Sequence, residues 1–73
     1  MKIAEIENLV HREPFRPFTL NLINGDRIHI DSPENILFPP RRRELVIAFT
    51  ENGQMHIFED VGIASVEEPQ IKE

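Results

Sequence analysis

The sequence predicts a mainly β domain in which a short N-terminal helix precedes a strongly bent five-stranded antiparallel sheet. Two Asn-Gly pairs, at 24–25 and 52–53, carry this prediction because each lies between stretches of alternating apolar residues. Asn-Gly in that setting is the strongest short-range signal for a β-hairpin. The chain has 73 residues, so we expect one small domain over 1–68, followed by a frayed C-terminal tail over 69–73.

Residues 2–11 predict the helix. Their apolar residues recur at helical spacing, at Ile3, Ile6, Leu9 and Val10. The helix is expected to end before Pro14, and a helix of about ten residues is too short to be stable alone. We therefore expect it to pack on the sheet or against another copy of the chain.

The segment 14–18 predicts a stiff, extended connection to the first strand. Pro14 and Pro17 lack an amide donor and push the residues before them toward extended geometry. Phe15 and Phe18 are expected to be buried, as part of the core or as a lid under the helix.

The first hairpin is predicted to turn through a three-residue loop, 23–25. That loop places Leu20 opposite Ile28, so that the apolar side chains of both strands share one face. A two-residue loop would place Leu20 opposite His29 and separate the apolar sets. The same argument assigns the second hairpin a loop over 51–53.

In the second hairpin this loop places Phe49 opposite Met55 and Ile47 opposite Ile57. Both loops then follow a type I turn with a bulge, in which the last loop residue has a positive φ. Gly25 and Gly53 occupy that position, and we interpret both as structural turn residues that bind no ligand.

Between and after the hairpins the chain predicts short, irregular connections. Ser32 followed by Pro33 is typical of a helix start, and only about one turn can follow. Apolar residues return at 36–38, before an irregular stretch that contains Pro39-Pro40 and three arginines. Residues 59–62 predict a tight turn into a last short strand.

Thirteen acidic residues against eight lysines and arginines give the chain a net charge of −5. Such a charge repels a phosphate backbone unless the cations cluster, as they do at Arg41, Arg42 and Arg43. This loop is the candidate contact for an anion or a nucleic acid. Glu44 follows directly, and the chain has no tyrosine or tryptophan for base stacking. The favoured interpretation is therefore a solvated loop whose arginines pair with the protein's own acidic residues.

No residue pattern predicts a catalytic, metal or cofactor site, and we expect no enzyme. His29 and His56 lie mid-strand and are expected on the outward face, while His11 closes the helix. The pair Glu59-Asp60 falls in a turn, where solvated charge is the usual explanation for neighbouring carboxylates.

The chain has no cysteine, no apolar stretch of the roughly 18 residues that span a membrane and no apolar signal segment near its start. These features predict a cytoplasmic protein without disulfides and without membrane association.

The predicted order of elements resembles that of the Sm-like small β-barrel family, in which an N-terminal helix lies on a strongly bent five-stranded sheet. Residues 22–30, with Asn24-Gly25, look like the first Sm motif, and residues 61–66 look like a degraded second one. Bacterial members of that family bind RNA through polar and basic positions of the second motif. The corresponding stretch here, 59–62, is acidic.

A second resemblance covers about 50 residues. The run Pro-Phe-Arg-Pro-Phe at 14–18, Ser-Pro-Glu at 32–34 and Ile-Phe-Glu-Asp at 57–60 are similar to a set of small bacterial proteins that open with a Pro-Phe-Arg-Pro-Phe motif. This resemblance implies a bacterial, cytoplasmic protein and brings no activity with it.

Two functional hypotheses follow. The first is a non-enzymatic protein-interaction or assembly module that forms a homo-oligomer, or binds a protein partner, through exposed sheet edges. The alternative is a weak RNA- or DNA-binding module that uses the arginine-rich loop 41–43, which the net charge disfavours.

Overall fold

The computed structural model describes residues 1–69, which form one helix and two small antiparallel sheets. In chain order the elements are helix α1 (Ile3–His11), β1 (Phe18–Leu22), β2 (Arg27–Ile30), a 3₁₀ turn (Pro33–Asn35), β3 (Ile36–Leu37), β4 (Leu45–Phe49), β5 (Met55–Glu59), a second 3₁₀ turn (Asp60–Gly62) and β6 (Ile63–Glu67). The first sheet has the strand order β2-β1-β6, and the second has the order β3-β4-β5.

Helix α1 begins one residue later than predicted and ends at His11, before Pro14 as expected. Its apolar stripe faces the sheets, since Ile3, Ile6 and Val10 are all buried. This burial explains why a nine-residue helix is stable here. A helix of that length is marginal alone, and packing of its apolar face supplies the missing stability.

The first hairpin has the predicted register. Leu20 pairs with Ile28 across β1 and β2, and the amide of Gly25 donates to the carbonyl of Leu22 at 3.0 Å. Gly25 has φ +96°, as the bulged turn requires. β6 pairs with the other edge of β1, with a bulge in the ladder between Asn21 and Leu22.

The turn after β2 begins as predicted, although the two-residue strand β3 that follows it was not predicted. The Ser32 hydroxyl accepts a hydrogen bond from the amide of Glu34 at 3.3 Å and caps the 3₁₀ turn that begins at Pro33. The second 3₁₀ turn stands where a tight turn was predicted. Of the tail predicted over 69–73, only Pro69 lies within the described residues.

The second hairpin also has the predicted register, with Phe49 opposite Met55 and Ile47 opposite Ile57. Gly53 has φ +84°. The predicted facing of this hairpin was wrong, however. Val46 and Ala48 are fully buried, while Met55 and Ile57 point away from the core.

His56 is therefore not on the outward face, as we expected. It pairs with buried Ala48 on the inner face of the sheet and is half-buried. The prediction failed because residues 45–49 are all apolar, so alternation says nothing about which side of β4 faces inward. In the protein Val46 and Ala48 belong to the core that joins both sheets.

One hydrophobic core joins the helix and both sheets. It consists of Ile3, Ile6, Val10, Phe18, Leu20, Ile28, Ile30, Ile36, Val46, Ala48 and Ile63. Phe18 is fully buried, and half-buried Phe15 packs on the core with its ring centroid 6.1 Å from that of Phe18. Both aromatic residues of the proline-rich segment thus pack against the core, as expected.

The fold class is mainly β with one N-terminal helix, arranged as two sheets of three strands. No helix among residues 1–69 has the length and apolar character needed to cross a membrane.

Candidate functional site

The side of the β3–β5 sheet that points away from the core is almost entirely apolar. We call it the outer face, and it consists of Leu37, Leu45, Ile47, Phe49, Met55 and Ile57, with Glu59 at one end as its charged member. Leu37, Met55 and Ile57 are 50%, 57% and 58% exposed. Strand pairing aligns Leu37, Ile47 and Ile57 in one row across the sheet. Contiguous apolar patches of this kind mark interaction surfaces.

β5 forms the edge of this sheet, with no strand on its far side within residues 1–69. Two hydrogen bonds define which of its amides point outward. Thr50 donates to the carbonyl of Gln54 at 2.9 Å, and Asp60 donates to the carbonyl of Glu44 at 2.8 Å. Because bonded pairs alternate along an antiparallel ladder, the even-numbered residues of β5 bond to β4.

The amides and carbonyls of Met55, Ile57 and Glu59 therefore face the open side of β5. Exposed strand edges are usually protected by lysine, proline or a β-bulge. Residues 55–59 contain no lysine or proline, and their ladder with β4 runs through five pairs without a register shift. This edge is consequently a regular template for another strand.

The edges of the first sheet are different, because a polar network covers its outer side. Arg27 on β2 contacts Glu67 on β6, with 2.6 Å between Nη2 and Oε2. Asn21 lies between them, accepting from Arg27 Nε at 3.2 Å and donating to Glu67 Oε1 at 3.0 Å. Glu67 is 40 residues from Arg27 and 46 residues from Asn21 along the chain. The sequence pattern therefore did not indicate these contacts.

The arginine loop lies between β3 and β4, and all three arginines are exposed. Arg42 pairs with Glu44, and Arg43 Nη2 lies 2.9 Å from Glu7 Oε1 on α1. Two of the three guanidinium groups thus pair with the protein's own carboxylates. The hydrogen bond from Arg42, followed by a backbone hydrogen bond, lowers the pKa of Glu44 below its ordinary value.

Two of the three histidines, His29 and His56, line the same open groove between β2 and the β4–β5 turn. His29 on β2 is held on both sides, by Thr19 Oγ1 at 2.9 Å from Nδ1 and by Asp31 Oδ1 at 2.9 Å from Nε2. His11 is exposed at the end of α1. The described part of the chain contains no cluster of three or more His, Cys, Asp or Glu suited to a metal ion.

Gly25 and Gly53 both lie at exposed turns, where a Cβ built on either would meet no atom within 4 Å. The first turn contacts the second 3₁₀ turn, since the amide of Ile23 donates to the carbonyl of Gly62 at 2.9 Å. The positive φ of each glycine gives it a role in backbone conformation.

Sequence reasoning predicted exposed sheet edges but missed the outer face. A signal for it was available, since residues 45–49 offer apolar side chains to both sides of a sheet. In a chain of 73 residues only one side of such a strand faces the core, so the other side had to be exposed or covered by a partner.

Comparison of the chain with protein-family models, with curated proteins and with solved structures gave no match.

Proposed function

We propose that this protein is a non-enzymatic assembly module that binds another protein chain along the β5 edge. The observation that carries the proposal is the combination of an unprotected strand edge with an apolar outer face on the same sheet. An added strand gains main-chain hydrogen bonds from the outward groups of Met55, Ile57 and Glu59. Its side chains gain contact with Met55 and Ile57, each more than half exposed.

We further propose that the two sheets are halves of one bent, five-stranded sheet of the Sm-like type. In support, only five residues, 31–35, separate β2 from β3, and the last three of them form a 3₁₀ turn. If β2 and β3 are taken as one bent strand, the order becomes β6-β1-β2/β3-β4-β5, with β5 and β6 at its two ends. A bacterial, cytoplasmic origin remains a prediction from the motif at 14–18.

Light scattering combined with amide hydrogen exchange tests the assembly function. Over a rising concentration series, we expect the measured mass to exceed that of one 8.5 kDa chain. The amides of Met55, Ile57 and Glu59 should become protected in the associated state. The amides of His56 and Phe58, which point toward β4, serve as an internal control because they are protected in both states.

A mass of 8.5 kDa at every concentration, together with rapid exchange of the three outward amides throughout, would overturn the assembly function. Protection that appears elsewhere, for example along β2, would place the contact on a different edge.

Nucleic-acid binding through Arg41–Arg43 remains the alternative, supported by the exposure of all three side chains and by the lack of an ion pair at Arg41 within the described residues. A low-salt titration with single-stranded RNA and DNA tests it. Replacing the three arginines with serine should weaken binding and reduce the salt slope of log K by up to about three phosphate equivalents. An unchanged titration would exclude this loop as the contact.

A further inference from the structure

We infer that the strand that pairs with β5 is β5 of a second copy of this chain, related by a two-fold axis that passes beside Ile57. This inference rests on the proposed function, because it names the partner of the same edge. It makes the contact isologous, so that each copy offers the same strand and the assembly closes at two chains.

The directions of the β5 amides support an axis beside Ile57. Two antiparallel strands form bonded pairs only between residues whose amides face each other. Centring the pair on Ile57 places Ile57 opposite its own counterpart and Met55 opposite Glu59 of the second copy. All three outward residues of β5 are then paired, so no amide along the strand is left unsatisfied.

Other antiparallel registers are poorer. Centring on Met55 places Glu59 opposite Glu51 of the second copy, and centring on Glu59 places that carboxylate opposite itself. Like charges directly opposed across strands are destabilising. If the axis passes beside His56 or Phe58, outward amides still face each other, but only two of the three outward residues of β5 find a partner within the strand of the second copy.

The side chains also favour two copies of β5. In the Ile57 register, the row of Leu37, Ile47 and Ile57 continues across the axis into the same row of the second copy. Directly opposed side chains lie about 4.5–5.5 Å apart at their Cβ atoms, so the two Ile57 side chains cover each other. The edges of the first sheet offer Arg27 and Glu67 instead of an apolar row.

A charge-swap experiment tests the register. We expect the Ile57→Lys and Ile57→Glu variants each to dimerise at least about tenfold more weakly than the natural chain, because each places two like charges face to face at the axis. Mixed in equal amounts, the two variants should dimerise again. Sedimentation equilibrium gives all three dissociation constants, and circular dichroism confirms that each variant is folded.

The matched control is Ile47→Lys, on the neighbouring strand of the same outer face. Edge pairing leaves Ile47 away from the axis, so this variant should dimerise within about twofold of the natural chain. If Ile47→Lys abolishes association instead, two outer faces pack against each other and the edge-pairing inference is wrong. Failure of the Lys and Glu mixture to associate would also overturn it.

Cysteine substitution provides a second test that does not depend on introducing charge. The chain contains no cysteine, so Ile57→Cys has one thiol per copy. A bonded antiparallel pair separates its Cα atoms by about 5.5 Å, which suits a disulfide. Mild oxidation should therefore link Ile57→Cys into dimers. Ile47→Cys should not be linked, since three strand spacings, about 14 Å, separate its two copies.

These experiments separate the inference from the proposed function. An assembly of three or more chains with protected β5 amides would keep β5 as the binding edge but overturn the isologous pairing. A chain that stays monomeric with exchanging amides would remove both.

Discussion

At the residue scale, Gly25 and Gly53 have φ angles of +96° and +84°. A Cβ at either position would meet no atom within 4 Å, so an alanine costs only the backbone strain of a positive φ. We expect Gly25→Ala and Gly53→Ala each to lower the free energy of unfolding by about 1–2 kcal/mol. Urea denaturation measures this change.

Gly62→Ala is the matched control, because Gly62 also has open space around its Cβ position but no positive φ. It should leave stability nearly unchanged. Asparagine at position 25 or 53 should be tolerated better than alanine, since asparagine adopts the left-handed region more readily. If Gly25→Ala, Gly53→Ala and Gly62→Ala all lower the free energy of unfolding equally, the positive φ is not the cause of the destabilisation.

At the scale of elements, β4 divides its five apolar residues between the core and the outer face. Val46 is fully buried, whereas neighbouring Ile47 points outward. We expect Val46→Lys to prevent folding, because an unpaired buried charge costs several kcal/mol, on the order of the total stability of a small domain. Ile47→Lys should remain folded. Circular dichroism and thermal melting distinguish the two variants, and the reverse result would restore the facing predicted from the sequence.

Helix α1 contributes Ile3, Ile6 and Val10 to the core, and Ile6 is completely buried. Ile6→Ala leaves a cavity under the helix and should lower the free energy of unfolding by about 2–5 kcal/mol. Chemical denaturation checks this value. Asn8→Ala, at an exposed position of the same helix, is the control and should change stability by no more than about 0.5 kcal/mol. A comparable loss of stability in both variants would indicate that helix propensity, and not packing of Ile6 in the core, determines the effect.

At the scale of the whole molecule, each copy has a net charge of −5, so two copies repel each other. Added salt screens this repulsion, since the Debye length falls from about 30 Å at 0.01 M to about 10 Å at 0.1 M. We therefore expect the dimer to tighten as sodium chloride rises over that range. Sedimentation equilibrium at constant protein concentration measures the effect. Weaker association at higher salt would mean that ion pairs hold the copies together.

The local features of this fold were accessible from the sequence because short-range geometry determines them. A loop of three residues ending in glycine sets the parity of a hairpin, so both registers and both positive φ angles were predicted correctly. The cap at Ser32 and the end of α1 depend on similarly local preferences. The arginine loop was also found, and its pairing with the protein's own acidic residues was the favoured interpretation.

The sequence by itself determined where this chain turns and which residues oppose each other, because those properties depend on a few neighbouring residues. Only the tertiary structure decided which side of β4 and β5 faces the core, since residues 45–49 are apolar on both sides and burial depends on what the rest of the chain supplies. The same packing left β5 at an edge and joined Arg27 to Glu67 across 40 residues. The candidate interaction surface thus arises from long-range packing, which local patterns do not encode.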